Sequence, residues 1–365
     1  MKKFIYLTIA AALLLSGCGS NAQSVQVVSV NDDDGEITEE DLATEAETTY
    51  ENGVKVSKQY VFAMDTEMYL AIYGTECEEA IEAAVEEINR IDDLLSVGDE
   101  ESEIFVLNSE GSCTLSDETY ELIERALEIG DLTAGALDIT VYPLMEAWGF
   151  TTQDYRVPSE SEIKELLEKM GADKISYDED TKVMTLSEGT MIDLGAIAKG
   201  YTSSRLMEIF EEYDVNSAMV SLGGNIHVYG SKTDGSDWNV AIADPEDSSK
   251  YLGAVKVSDK CVITSGGYER YFEEDGVVYH HILDPSTGYP ADSGVISVTI
   301  VSDDGTLADA LSTSLFVMGL SKATEFWENH SDEFDFIIET DDGEIYITPG
   351  LDGIFSSDSD YNIVE

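Results

Sequence analysis

Residues 264–290 read TSGGYERYFEEDGVVYHHILDPSTGYP. Thr264, Ser265, Gly266 and Gly267 predict a small hydroxyl-rich turn where backbone can come close to a ligand. Two apolar-aromatic runs follow, Tyr268–Phe272 and Val277–Leu283, split by Glu274-Asp275-Gly276, which predicts a β-hairpin. The second run carries His280 and His281, two of the four histidines in the chain, and closes on Asp284-Pro285-Ser286-Thr287-Gly288, a string of turn formers. Successive strand side chains face opposite ways, so only one of these histidines can look into a site. On residue type alone, two half-buried histidines in an ordinary hairpin are the plainer account of the run.

The rest of the chain bounds what such a site can hold. Its 365 residues are 43% hydrophobic, enough for one large core or two modest ones. Lys plus Arg number 19 against 76 Asp plus Glu, a formal charge of −57. That charge repels nucleic acid and anionic membrane surfaces. A phosphate-bearing substrate would have to be held by a cation or by clustered N–H donors. Residues 1–17 read as a secretory signal, with Lys2 and Lys3 before the apolar run Phe4–Leu15, which is short for a membrane span. Leu15-Ser16-Gly17-Cys18 is similar to the bacterial lipoprotein box. That similarity implies cleavage before Cys18, a lipid on its sulfur, and a body tethered on the outer face of the cytoplasmic membrane. An uncleaved anchor is the other reading. Residues 18–53 are polar, and acidic from Asp32 to Glu47, so a disordered tether is expected there and a folded domain over 54–365. Cys77, Cys113 and Cys261 have no metal-ligand spacing and are expected to be free thiols.

Periodicity predicts an α+β domain with mixed, largely antiparallel sheets and packed helices. Residues 59–73 read as strand or hairpin. Residues 78–95 read as an amphipathic helix with Ile81, Val85, Ile88, Ile91 and Leu95 on one stripe. Ser116 is placed to cap a helix through Leu132, and Ser159 with Glu162 makes a capping box for a helix that Gly171 stops. Short strands are expected at 174–177 and 182–186, and a helix at 195–213. Strands at 217–222, 226–229, 238–243 and 253–257 precede the hairpin, and another lies at 295–301. Helices at 306–318 and 322–330 follow, and two weak strands end near Thr348.

Four further segments can carry chemistry. In Thr133–Phe150, the small residues Ala134, Gly135 and Ala136 let a flat ligand lie against backbone, and Asp138 could accept a bond from a ring N–H. A helix running into a strand, with Trp148 and Phe150 as core, is the plainer account. In Ile192–Tyr201, Gly195-Ala196 opens the predicted helix, whose N–H groups and dipole suit a pyrophosphate, with Asp193 as N-cap and Lys199 adding charge. A capped helix with a solvated lysine reads equally well. The glycines of Ser221–Asn225 predict a bulge or close approach. Asp309 and Thr313 share a helix face, so a carboxylate and a hydroxyl can reach one hard cation such as Mg²⁺. An exposed Asp and a core-facing Thr would have the same spacing. GxGxxG and Walker A strings are absent from the sequence.

In order along the chain these blocks resemble the ApbE-type FAD:protein FMN transferases, from about Tyr60 to Tyr346. TSGG followed by HILDPSTG is similar to the family's T-S-G turn and His-Ile-x-Asp-Pro-x-Thr-Gly segment. TAGALDITVYPL…WGF is similar to T-x-G-x-F-D-x-T-x-x-P-L…W-G-F, with Leu137 in place of Phe. IDLGAIAKGY is similar to D-L-G-G-I-A-K-G-Y, and ADALSTSLFVMG to A-D-A-L-A-T-A-x-F-V-M-G. Met64-Asp65-Thr66 stands where the family has M-G-T. Ser96, Ser102-Glu103-Ile104 and Asn108 resemble a further block, in which Gly98 replaces a flavin-contacting Tyr.

The resemblance implies flavin contacts from Met64, Ala136, Leu137, Asp138 and Ile282, and contacts to FAD from Asp193 and Lys199. It implies Mg²⁺ held by the backbone carbonyl of Ala196 and by Asp309 and Thr313. His281, which adjoins Ile282, is preferred to His280 as the base. The implied activity moves the FMN half of FAD onto a Thr or Ser hydroxyl of a target protein and releases AMP. The family's acceptors are flavin-carrying subunits of membrane redox complexes and FMN-binding domains. A FAD pyrophosphatase giving FMN and AMP and a non-catalytic flavin-binding lipoprotein are the alternatives.

Overall fold

Tight reversals organise the sheet. Asn52-Gly53, Met64-Asp65, Gly223-Gly224 and Asp275-Gly276 each carry two consecutive positive φ angles, from 50° to 93°. Each joins paired antiparallel strands through two residues, the geometry whose twist matches that of the flanking strands. The computed structural model describes residues 46–247 and 249–364. The signal segment 1–17, Cys18 and most of the acidic tether lie outside the described residues.

A ten-stranded sheet runs in chain order: Glu47–Glu51, Val54–Ala63, Thr66–Gly74, Val215–Leu222, Asn225–Tyr229, Lys260–Gly266, Val295–Ser302, Phe334–Thr340, Ile345–Ile347 and Tyr361–Ile363. The last pair is parallel and the others are antiparallel. The α+β expectation is met. Helices Cys77–Leu95 and Ala198–Glu212 cover one face through Ile81, Ile88, Leu206 and Phe210, against Met68, Leu70, Ile72 and Val220. The small sheet Trp238–Ala243, Tyr251–Val257 and Phe355–Ser356 covers another stretch through Trp238, Val255 and Phe355. Helix Gly305–Met318 packs on Lys260–Gly266 and Val295–Ser302.

Several boundaries differ from expectation. The fold begins before residue 54, because Glu47–Glu51 pairs with Val54–Ala63. Glu51 reaches Lys58 and accepts from Tyr73 Oη at 2.9 Å, so this end of the acidic run has partners in the sheet. Thr264 to Gly266 is the end of a strand, not a turn, because it pairs with Thr299, Val298 and Ser297 of Val295–Ser302. Ser116 and Ser159 cap their helices as expected. The second of these ends at Leu167, before Gly171. Thr133–Phe150 holds a 3₁₀ turn and helix Tyr142–Trp148 in place of a strand. Cys77, Cys113 and Cys261 are free. Among the described residues no helix is long and apolar enough to cross a membrane.

Candidate active site

The motif blocks converge through main-chain and amide bonds. Asn108 donates to Ile192 O and accepts from Ile192 N, both at 2.8 Å, and so fixes the segment before Asp193. Asp193 N donates to Ile139 O at 2.8 Å, which brings the Ala136–Asp138 segment alongside. Met64, in its left-handed turn, takes a weak bond from Thr202 Oγ1 on helix Ala198–Glu212, 3.9 Å from its sulfur. Distant pieces of chain thus meet at the start of that helix.

The helix start itself differs from the sequence reading. It begins at Ala198, and Asp193 does not cap it. Asp193 Oδ1 accepts instead from Gly195 N, which closes a turn holding Ala196. Ala198 N is bonded to Leu194 O and Gly200 N to Asp309 Oδ2, so N–H groups expected to await a pyrophosphate are occupied. Asp309 serves as a carboxylate cap delivered from a neighbouring helix, where the dipole favours negative charge.

Asp309 is 3% exposed and held at both oxygens: Oδ2 accepts from Gly200 N and Oδ1 from Asn225 Nδ2, both at 2.8 Å. The contact depends on Gly200 and Gly305. A Cβ on Gly200 would sit 2.1 Å from Gly305 O, and one on Gly305 would sit 2.6 Å from Gly200 O. Two helices therefore touch backbone to backbone, which only glycine permits. The Gly223-Gly224 turn leads directly into Asn225. Lys199 Nζ lies 3.3 Å from Gly195 O and 3.7 Å from Asp309 Oδ1, so the turn and the buried carboxylate already share one positive charge. One helical turn on, Thr313 Oγ1 is 3.3 Å from Ser265 Oγ, which is 2.7 Å from Ser312 Oγ.

The Ala196 carbonyl, Asp309 and Thr313 are all hard oxygen donors, the chemistry Mg²⁺ prefers. A carboxylate oxygen has two acceptor directions, so hydrogen bonding leaves lone pairs on Asp309. A cation already stands beside one of these donors, the Lys199 ammonium near Asp309 Oδ1. The donor set therefore fits the ion implied by the resemblance.

The hairpin sorts the two histidines. His280 turns inward: its Nε2 donates to Ala291 O at 3.1 Å and its ring meets Phe316 edge-on at 5.4 Å. His281 faces the other way, partly exposed. Its backbone N–H and its Nδ1 both bond Arg270 O, at 3.0 and 3.1 Å. A carbonyl can only accept, so Nδ1 carries the proton and Nε2 keeps a free lone pair. Burial, and then the Arg270 charge, hold the ring well below its ordinary value. It is neutral near pH 7. The Asp284–Gly288 turn anchors this strand: Trp148 Nε1 donates to Gly288 O at 2.9 Å, and Asp284 Oδ1 accepts from Ser286 N at 2.8 Å.

The remaining expected contacts are mixed. Ala136 is partly exposed. Asp138 spends Oδ1 on Thr140 N and Oγ1 and carries no hydrogen bond on Oδ2 among the described residues. Leu137 and Ile282 are 4% exposed each, so they offer a ligand mainly main chain and pack chiefly as core. Asp193 is pushed up by burial, opposed by the Gly195 N–H and by Arg270 and Lys199. Sequence reasoning missed Glu269 and Arg270, both exposed and both acting electrostatically on this group. The usable signal was their place between the strand end and the histidines. A 180 Å³ void lined by Glu118, Arg125, Tyr201 and Asp304 contains none of the expected site residues.

Comparison with known proteins gives the family. The ApbE family matches residues 64–338. A Klebsiella pneumoniae (strain 342) protein described as a FAD:protein FMN transferase is 32% identical over 309 residues, covering 83% of this chain and 95% of the relative. A Treponema pallidum (strain Nichols) protein of the same description is 33% identical over 274 residues, 69% of this chain and 76% of the relative. The crystal structure of the ApbE protein of Thermotoga maritima superposes with a TM-score of 0.77 at 36% identity, covering 82% of this chain and 99% of that one. The apo flavinyl transferase ApbE of Pseudomonas stutzeri gives 0.74 at 26% identity, covering 84% and 98%. Matched over most of its length in both sequence and fold, the chain belongs to the ApbE family.

Proposed function

We propose that this protein is a Mg²⁺-dependent FAD:protein FMN transferase. It attaches FMN through a phosphoester to a Thr or Ser hydroxyl of a target redox protein and releases AMP. The observation that carries this reading is His281 Nε2, unprotonated and without a partner among the described residues, in a group that also holds Lys199 and the Asp309 oxygens. The relatives described as FAD:protein FMN transferases support the same activity.

The acceptor hydroxyl gives its proton to His281 Nε2 while its oxygen bonds to the FMN phosphorus. The bridging P–O bond breaks, and its electrons leave with AMP. Lys199 supplies positive charge to the phosphates. Ala196 O, Asp309 and Thr313 would hold Mg²⁺, which would stabilise charge developing on the phosphoryl oxygens. Asp309 is kept in place by Gly200 and Asn225, so the charge it presents is preorganised. Anchoring through lipidated Cys18 on the outer face of the cytoplasmic membrane would bring the site to membrane redox-complex subunits or FMN-binding domains.

The test is to incubate the protein with FAD, Mg²⁺ and a candidate acceptor, with and without a chelator. Protein-bound FMN plus AMP, lost on chelation, is expected. Free FMN would indicate a hydrolase, and unchanged FAD a binding protein. Transfer surviving exhaustive chelation would remove the metal from the scheme.

A further inference from the structure

Arg270 has no part in the scheme above, yet its setting is unusual for this molecule. The chain has five arginines. Arg90, Arg125, Arg156 and Arg205 are each ion-paired with carboxylates. Arg270 is exposed and makes no ion pair among the described residues, in a protein with 76 acidic side chains. Its carbonyl takes both bonds from His281, so its main chain is clamped to the proposed base. Its charge also bears on Asp193, which comes from a remote part of the chain, and on its neighbour Glu269. Arg270 and Lys199 thus act electrostatically on the same three groups, Asp193, Glu269 and His281.

We propose that Arg270 is a phosphate-binding residue of this site, its guanidinium gripping the pyrophosphate of the dinucleotide substrate. A guanidinium is always protonated and presents a planar fork of donors that matches a phosphate two bonds at a time. Left unpaired beside two carboxylates, it has donors to give without first breaking an ion pair. An acidic body needs such a group more than a neutral one does. With Lys199 it supplies two fixed cations where the dianion must come to rest. The same residue then orients the base through its carbonyl and the substrate through its side chain.

The proposal rests on the reading of this group as an FAD site, and binding measurements separate the two. FAD, ADP and riboflavin are titrated with Mg²⁺ against the wild-type protein, Arg270→Gln and Arg270→Lys, using flavin fluorescence and, for ADP, calorimetry. Arg270→Gln should weaken FAD and ADP roughly ten- to a hundredfold, the value of a charge-assisted bond or a pair of them, with riboflavin affinity unchanged. Arg270→Lys should recover part of the loss, since it restores the charge without the fork. Unchanged FAD and ADP affinity in Arg270→Gln overturns the assignment. So does an equal loss for riboflavin, which would mean a structural role. A wild-type protein that binds no FAD overturns the FAD reading itself.

Discussion

A methyl group at Gly200 tests the central contact of the site. In Gly200→Ala the new Cβ would lie 2.1 Å from Gly305 O and 2.6 Å from Asp309 Cβ. Close carbon–oxygen contacts settle near 3.3–3.6 Å, so the two helices must separate by on the order of 1 Å. Both obstacles belong to packed helix and not to a flexible side-chain tip. Overpacking of this kind costs about 1–3 kcal/mol. The Gly200 N–H to Asp309 distance of 2.8 Å would stretch past bonding range. Losing a hydrogen bond to a charged group costs a further ~1.5–3 kcal/mol. Alanine returns about 1 kcal/mol of helix propensity. The net is roughly 2–5 kcal/mol, or a fall in Tm of roughly 3–8 °C for a domain of this size. Displacing Asp309 should also weaken the Mg²⁺ dependence of FAD binding. Calorimetric melts with and without Mg²⁺ measure both effects. Gly98→Ala is the control, because its Cβ would meet only Ser96 Oγ at 3.8 Å. If Gly200→Ala melts with the wild type and titrates Mg²⁺ identically, the glycine contact does not hold Asp309 and the reasoning fails.

Asp309→Asn should spare the fold and remove Mg²⁺-dependent FAD binding, because Asn225 can flip its amide to accept from the new NH₂ while the charge is lost; retained Mg²⁺ dependence in FAD titrations would count against the ligand assignment. His281→Ala should bind FAD normally and transfer FMN ~10²–10⁴ times more slowly, the usual contribution of a positioned base; single-turnover transfer at the wild-type rate would exclude that role. His227 is 4% exposed, bonded to Ser203 Oγ at 3.0 Å, and pushed down to about 4 by burial. The unfolded chain binds the extra proton between that value and 6.5, so this group lowers stability as pH falls through that window, by up to ~3 kcal/mol. Urea melts of His227→Gln should show a shallower acid decline than the wild type, and parallel declines would refute the assignment.

What the sequence made legible follows from how local each signal is. Asp275-Gly276 carries its turn type in its side chains; Asn52-Gly53 does too, but it follows an acidic stretch that reads as tether. Met64-Asp65 makes the same turn without that signal, and only the pairing of Val54–Ala63 with Thr66–Gly74 reveals it. The strand Lys260–Gly266 was hidden because its end, Thr-Ser-Gly, has turn composition, although Val262 and Ile263 were a usable β signal. Pairing with Val295–Ser302 overrides such local preference. The Asp309–Thr313 spacing placed both on one helix face. The donors that hold Asp309 come from Gly200 and Asn225, far away in the chain, so its burial could not be read in advance. The Ser-x-x-Glu pattern at Ser159 marked a helix start correctly, whereas Gly195 drew the next helix too early, because the Asp193 side chain holds Gly195 N in a separate turn.

The charge of the body and the state of the base are connected. His281 is kept neutral by burial and by the cations Arg270 and Lys199, which suits proton acceptance but makes the free imidazole a weak base. A pyrophosphate lying against those two cations would offset the charge that depresses the ring, and its basicity would rise. Substrate binding would thus strengthen the base only when there is a phosphoryl group to transfer. The surrounding acids matter to the same end. Had Arg270 been neutralised by a neighbouring carboxylate, as the other four arginines are, it would have fewer donors to give a phosphate and would add less to the effect of burial on the imidazole.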